Sequence, residues 1–304
     1  MSEAGRACGF VALIGAPNAG KSTLLNRFVG AKVSIVSPKV QTTRARVLGI
    51  RIEGKTQIVF IDTPGIFRPR RRLDRAMVAA AWGGAGDADH ICLLVDATRF
   101  RGGEADPDTR RIVGRLKETG GRAVLAINKI DAVAKPALLE MAAVLDGEGV
   151  FSETFMVSAA KGGGTADLLS HLTGMMAPGP WLFPEDQISD MPQRLLAAEI
   201  TREKLYLQLH QELPYAATVE TDSWEEQEDG SARIEQTIYV ERDSQKAIVL
   251  GKGGARIRQL GAAARAELQE LLDRRIHLFL FVKVRDNWGD DPARYRDWGL
   301  DYNA

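Results

Sequence analysis

The sequence predicts two domains in tandem, an α/β domain built on a doubly wound parallel sheet and then a smaller α+β domain. Three observations carry this. Short β-branched apolar runs alternate with helix-like segments from residue 10 to about 176. Four prolines interrupt that rhythm between 177 and 193, and after them the order of elements changes. The chain has 304 residues, a length that suits two cores better than one.

The apolar runs at 10–14, 58–61, 91–95, 123–127 and 154–157 are each short enough for a strand buried on both faces. In such a sheet the phosphate-binding loops lie at the carboxyl ends of the strands. After the break, 194–211 reads as an amphipathic helix, 215–224 and 232–242 as strands around an acidic turn at 225–230, 244–250 as a short helix, 255–273 as a longer one and 275–285 as a closing strand, an αββααβ order. The expected boundaries are a first domain over 8–177, a linker over 178–193, a second domain over 194–289 and a tail over 290–304. The residues from 286 onward carry tryptophans and tyrosines but no clear periodicity.

Composition excludes several classes. With 40 basic against 40 acidic residues, the chain as a whole cannot rely on net charge to hold nucleic acid, so any such contact needs a local patch. Cys8 and Cys92 are too few for a disulfide framework, lack metal-ligand spacing and read as small core residues of a protein in a reducing compartment. The N-terminus has no secretory pattern, and no apolar stretch is long enough to span a bilayer.

The chemistry begins directly after the first strand, at Gly15-Ala16-Pro17-Asn18-Ala19-Gly20-Lys21-Ser22-Thr23, followed by a helical run over 24–28. A phosphate chain needs inward-pointing backbone N–H groups, glycines that let the backbone approach and a positive helix N-terminus, and this loop supplies all three. Lys21 reaches the β- and γ-phosphates in this arrangement, and Ser22 ligates Mg²⁺. The next strand ends in Asp62-Thr63-Pro64-Gly65. An acid at a strand end can hold Mg²⁺ through water, and the Gly65 N–H can sense the γ-phosphate. Standing alone, that tetrapeptide would be read as a turn; its place after the phosphate loop makes it a sensor.

Asn128-Lys129-Ile130-Asp131 follows the fourth apolar run and chooses the base. The Asp131 carboxylate can accept both the N1–H and the 2-amino group of guanine, a pairing adenine cannot supply. A buried site built for that pair rejects the wrong base by as much as ~10⁴ to 10⁵, because its polar groups would be left unpaired. Ser158-Ala159-Ala160-Lys161 fits the backbone loop that closes over the base. The ligands expected are GTP and GDP with Mg²⁺.

With these motifs the chain resembles the translation-factor class of GTPases, and within it the Era family, over residues 8–289. The resemblance implies that Gln41-Thr42-Thr43-Arg44 is the switch I element, with Thr43 completing the Mg²⁺ shell in the GTP state and Thr42 the second choice. Ala19 stands where valine is commoner, a change expected on the solvent side. Ras-like switches place a water-orienting glutamine directly after the glycine of Asp-x-x-Gly, but here that residue is Ile66. An isoleucine side chain cannot hydrogen-bond, so intrinsic hydrolysis is expected to be slow. The family suggests that Asn18 helps to hold a K⁺ ion that supplies positive charge; the alternative is that Asn18 only shapes the loop. Lys21, Asn18, Thr43 and Gly65 are the expected catalytic set.

Five arginines fall within residues 68–75. They form either a solvated face or, lying in switch II, a nucleotide-dependent contact for RNA phosphates.

In the second domain, Gly251-Lys252-Gly253-Gly254 followed by Arg256 sits between the two middle helices, and the αββααβ order resembles a type II KH domain. A Gly-x-x-Gly loop lets a sugar-phosphate chain lie against the backbone while a basic neighbour meets phosphate. The spacing itself is weak, and Gly83 to Gly86 is a decoy; its position between helices is what counts. Between 241 and 286 there are ten basic and six acidic residues, a local surplus that suits RNA. On the closing strand Ile276, Leu278, Leu280, Val282 and Val284 share one face. Phe279 and Phe281, on the other, are expected to pack against neighbouring elements more readily than to stack on bases, and His277 is expected to be structural.

The resemblance implies a GTPase that binds single-stranded RNA, namely the 3′ end of small-subunit (16S) ribosomal RNA, in 16S maturation and assembly of the 30S subunit. It further implies a cytoplasmic monomer with at most peripheral contact at the inner membrane. The alternative is an RNA-binding scaffold in which nucleotide is mainly structural. A GTPase for transfer-RNA modification is disfavoured by the KH-like domain and by the lack of a catalytic C-terminal cysteine.

Overall fold

The computed structural model describes residues 5–39, 42–209 and 217–304. These fall into two compact units, one of residues up to Ser34 with Thr43–Asp190 and Tyr295–Ala304, the other of Ile35–Thr42 with Met191–Arg294.

The first unit is a six-stranded sheet in the order β2-β3-β1-β4-β5-β6. Its strands are β1 (Ala7–Gly15), β2 (Val47–Glu53), β3 (Thr56–Asp62), β4 (His90–Asp96), β5 (Ala123–Asn128) and β6 (Phe151–Val157). All pairings are parallel except β2 with β3. The five expected runs are the five parallel strands. The antiparallel β2 was not foreseen, because Arg51 and Glu53 dilute its apolar pattern.

Every residue of β5 is buried, as a parallel strand covered on both faces requires. One cover is α2 (Arg72–Gly86), α3 (Pro107–Glu118) and α4 (Lys135–Asp146), whose Ala81, Ile112, Leu116, Leu138 and Met141 join Ile14, Leu93 and Leu125 of the strands in one core. The other is α1 (Lys21–Val29) and α5 (Thr165–Gly174), where Phe28 stacks on Phe60 with ring centroids 4.9 Å apart. Helix α3 starts where it does because the Asp106 carboxylate accepts the N–H groups of Asp108 and Thr109 and Pro107 pre-sets the first turn.

The proline-rich stretch, read above as linker, lies on this sheet up to residue 190. Gln57 Oε1 accepts the N–H groups of Leu182 and Phe183 at 2.8 and 3.0 Å, and Ile50 N–H donates to Ile188 O at 2.9 Å. The bond to Ile50, with Leu48 N–H donating to Asp190 Oδ1 at 3.1 Å, occupies the open edge of β2, which would otherwise present unpaired backbone groups.

The second unit follows the αββααβ order: α6 (Gln193–Gln208), β7 (Ala217–Glu226), β8 (Ala232–Val240), α7 (Asp243–Leu250), α8 (Ala255–Leu272) and β9 (Ile276–Val284). Its sheet runs β7-β8-β9, antiparallel then parallel. The expected ends of the first helix at 211 and the start of the next strand at 215 lie outside the described residues. Ala198, Leu205 and Tyr206 of α6 and Leu260 of α8 bury one face of the sheet, against which Leu280, Val282 and Val284 pack. A short helix α9 (Pro292–Asp297) follows β9.

Phe279 and Phe281 correct the expectation. They are 45% and 47% exposed, because the alternation of β9 turns Leu278 and Leu280 toward the helices and leaves the other face open.

Candidate functional site

The sharp bend from β1 into α1 is what makes the phosphate loop. It needs left-handed backbone at Asn18 (φ 63°) and Gly20 (φ 101°). A Cβ on Gly20 would stand 2.2 Å from Asn128 Nδ2, and one on Gly15 would stand 2.4 Å from Leu94 O. Glycine is thus required for space as well as conformation. Ala19, expected on the solvent side, is fully buried, since the loop folds its apolar side chain inward to turn the backbone outward.

Lys21 opens α1 and folds back over the loop, donating to the carbonyl oxygens of Gly15 and Ala16 at 3.2 and 3.3 Å. Burial pushes its pKa down to about 8, with the Asp62 charge acting the other way. An ammonium held so dry gains strongly from a neighbouring phosphate.

Ser22, Thr43 and Asp62 come together from α1, the segment before β2 and the end of β3. Ser22 Oγ lies 2.6 Å from Asp62 Oδ2 and 2.9 Å from Thr43 Oγ1, and Thr43 Oγ1 is 3.5 Å from the same carboxylate oxygen. Thr42 turns away and bonds Ser37 Oγ and Lys39 O, both at 2.6 Å, so Thr43 is the threonine of this cluster; Gln41 lies outside the described residues. Asp62 is fully buried, its carboxyl pushed up by desolvation. Its Oδ1 has no hydrogen-bond partner among the described residues, although a buried oxygen of this kind is costly to leave unsatisfied. Two hydroxyls and a dry carboxylate with a spare lone pair are the hard-oxygen donors that Mg²⁺ takes while keeping waters and phosphate oxygens.

Gly65 lies against Pro17, where a Cβ would come within 2.8 Å of the Pro17 Cα, and Ile66 N–H donates to Gly15 O at 3.0 Å. The Ile66 side chain is 1% exposed and points into the core. It neither orients a water nor faces the place where one would attack.

At the base end, Asn128 joins two loops, donating to Ala19 O at 2.8 Å and accepting the Ala159 N–H at 2.9 Å. Lys129 adopts left-handed backbone (φ 64°). Asp131 accepts from Ser158 Oγ at 2.7 Å and pairs with Lys161 at 3.1 Å, and these hydrogen bonds hold its carboxyl below the usual range. It therefore presents a charged acceptor edge, with Ala160 next in the loop.

Three supporting residues escaped the sequence reading. Asp96 ends β4 and pairs with Lys129 at 2.6 Å; its position, an acid at the end of a parallel strand like Asp62, was the available signal. Ser34 Oγ donates to Asp62 Oδ2 at 2.9 Å. Arg27 of α1 donates to the carbonyls of Ala159 and Ala160 and pins the loop over the base. Neither Ser34 nor Arg27 stands out in sequence, because each acts across a fold contact.

In the second unit the loop between α7 and α8 has left-handed backbone at Gly251, Gly253 and Gly254 (φ 69°, 57° and 74°). Lys252 is exposed, and Arg258 donates to Gly253 O at 2.8 Å. Arg256, expected to meet phosphate, donates to Ile248 O at 2.9 Å while remaining exposed.

Comparison with known proteins agrees with both halves. Residues 10–129 match the family model described as a 50S ribosome-binding GTPase and residues 212–289 match the KH domain. The chain is 62% identical to GTPase Era of Rhizobium meliloti (strain 1021) over 294 residues, covering 97% of this chain and 93% of that one. The chain belongs to the Era family of GTPases. A second Era relative, from Agrobacterium fabrum, is 60% identical over the same length, covering 97% of this chain and 92% of its own. Among solved structures, an Era variant from Aquifex aeolicus bound to GDP and aluminium fluoride superposes with a TM-score of 0.89 at 38% identity, covering 96% of this chain and 99% of that one. Era in complex with MgGDPNP and nucleotides 1506–1542 of 16S ribosomal RNA superposes at 0.90 and 37% identity, covering 97% and 99%. Membership of the Era family makes this chain a GTPase that uses GTP, GDP and Mg²⁺.

Proposed function

We propose that this chain is a GTP-controlled switch that binds the 3′ end of 16S ribosomal RNA in maturation and assembly of the 30S subunit. What supports the reading is the pairing of a γ-phosphate sensor with a Gly-x-x-Gly loop in one chain, in a family of which one member was solved with both ligands. The same reading makes it a cytoplasmic monomer with at most peripheral contact at the inner membrane; size-exclusion with light scattering and cell fractionation test those two points.

For hydrolysis, Ser22, Thr43 and Asp62 would hold Mg²⁺, which when bound neutralises charge on the β- and γ-phosphate oxygens. Lys21 and the backbone N–H groups at the start of α1 stabilise the charge that shifts toward the β–γ bridge as water attacks. Gly65 offers its N–H to the γ-phosphate because nothing larger fits beside Pro17. Asn128 and Asp131 fix the base, and Ser158, Ala159 and Ala160 close over it. No side chain follows Gly65 to orient the water. Asn18, at the left-handed turn of the phosphate loop, is the residue proposed to recruit K⁺ in compensation.

The burial of Ile66 also favours a second reading, in which nucleotide is mainly structural. RNA crosslinked to the chain in cells and sequenced should map to the 16S 3′ end, and RNA affinity should differ between the GDPNP and GDP states. Equal affinity in both would establish the scaffold.

A further inference from the structure

The last ten residues, Tyr295–Ala304, belong to the unit that contains the nucleotide site. Nothing in their sequence announces a role, yet they are folded tightly. Tyr295 is fully buried, and Trp298 and Leu300 are 9% and 6% exposed. The Tyr295 ring meets Tyr302 edge-on at 5.0 Å and lies 6.5 Å from Trp298. A left-handed turn at Gly299 (φ 64°) lets Leu300 N–H return to Tyr295 O at 2.7 Å.

Two arginines rest on this aromatic knot. The guanidinium carbon of Arg44 is 5.6 Å from the centre of the Trp298 ring, and that of Arg72 is 4.4 Å from the Tyr302 ring. Arg75 Nε also reaches Ala304 O at 3.4 Å. The positions of these arginines matter. Arg44 directly follows Thr43 and is 1% exposed, while Arg72 opens α2 at the end of the segment that begins with Gly65. The tail thus holds the side chain that directly follows Thr43 and the one that closes the segment running from Gly65 into α2. Cation–π contacts suit this task, because an arginine dragged from an aromatic face loses electrostatic attraction that water only partly replaces, so each ring resists displacement of its arginine.

We propose that Trp298 and Tyr302 are positioning residues of the GTPase site. Through Arg44 and Arg72 they hold Thr43 and Gly65 in the arrangement that binds the γ-phosphate, which raises affinity for GTP without affecting GDP. The proposal rests on the reading of Thr43 and Gly65 as γ-phosphate sensors. It also assigns Arg72, one of the five switch II-region arginines, to an aromatic partner rather than to open solvent.

The test uses the full-length chain and fluorescent GDPNP and GDP at fixed Mg²⁺. Tyr302→Ala, at a half-exposed residue, and Trp298→Ala should each weaken GDPNP binding about five- to tenfold and leave GDP binding within twofold, while Trp298→Phe and Tyr302→Phe, which keep a ring face, should restore most of the GDPNP affinity. Equal losses for both nucleotides in folded protein, or no loss for either, would overturn the proposal. Thr43→Ala is the reference. If it too fails to separate GDPNP from GDP, the sensor reading itself fails; if it separates them and the tail variants do not, only the role of the tail is lost.

Discussion

Two glycine loops open helices in this chain, one ahead of α1 and one ahead of α8, and they differ in what a side chain would meet. At Gly20 an added Cβ would collide with Asn128 at 2.2 Å, whereas at Gly253 it would find nothing within 4 Å. Both backbones are left-handed there, so glycine serves conformation in both loops but also space in the first. The first is enclosed at its phosphate end, where Lys21 and Asp62 are buried, while the base-reading Asp131 stands exposed at its rim until a base covers it. The second is open, with Lys252 in solvent, because a polymer must pass through it. Enclosure gives discrimination through unpaired buried groups; openness gives tolerance, in which backbone shape and charge do most of the recognition.

Asp131→Asn challenges this contrast most severely. The amide presents a donor where guanine offers its 2-amino group, so GTP affinity should fall by about 10³-fold or more and xanthosine triphosphate should become the better ligand. Competition binding with the two nucleotides decides it; unchanged GTP affinity would remove Asp131 from the base site. Gly20→Ala should come next. Left-handed strain and the clash with Asn128 together cost roughly 2–6 kcal/mol, so nucleotide affinity should drop by about 30-fold or more, measured by calorimetry on folded protein.

Gly253→Asp addresses the open loop. The side chain has room, and aspartate tolerates left-handed backbone better than most residues, so the domain should stay folded while the added carboxylate repels phosphate, lowering single-stranded RNA affinity by about tenfold and leaving GTP binding intact. The control is Gly83→Asp, in α2, where a Cβ also meets nothing within 4 Å; it should leave RNA binding nearly unchanged. If the two variants behave alike in an RNA titration, the clamp lies elsewhere. The smallest effect concerns the salt. Replacing Na⁺ with K⁺ at constant ionic strength should speed GTP hydrolysis several-fold, and Asn18→Ala should erase the difference. Equal rates in the parent would return the task of Ile66's missing partner to an RNA or protein.

Much of the nucleotide site was legible because each part is local. A strand followed by Gly15 to Thr23, Asp62 to Gly65, or Asn128 to Asp131 carries its geometry within a few residues, and the βαβ order brings strand ends to one rim. The same holds for the Gly251 to Gly254 loop between its helices. Where sequence misjudged a side chain, the cause was always a neighbour distant in the chain. Phe279 and Leu280 are equally apolar, and only the helices chosen by the fold decide which face of β9 is covered.

The sequence by itself therefore determined the chemistry: a guanine nucleotide with Mg²⁺, a γ-phosphate sensor lacking a water-orienting glutamine, and an RNA-type glycine loop. Tertiary structure alone decided which threonine faces Asp62, that Ser34, Asp96 and Arg27 brace the site, that residues 188–190 close the sheet edge beside β2, and that the final aromatics sit on Arg44 and Arg72. The physical reason is range. Backbone conformation and ligand-binding motifs are set by neighbours in the chain, whereas burial, ring contacts and second partners depend on which distant segments the packed core brings within a few ångströms.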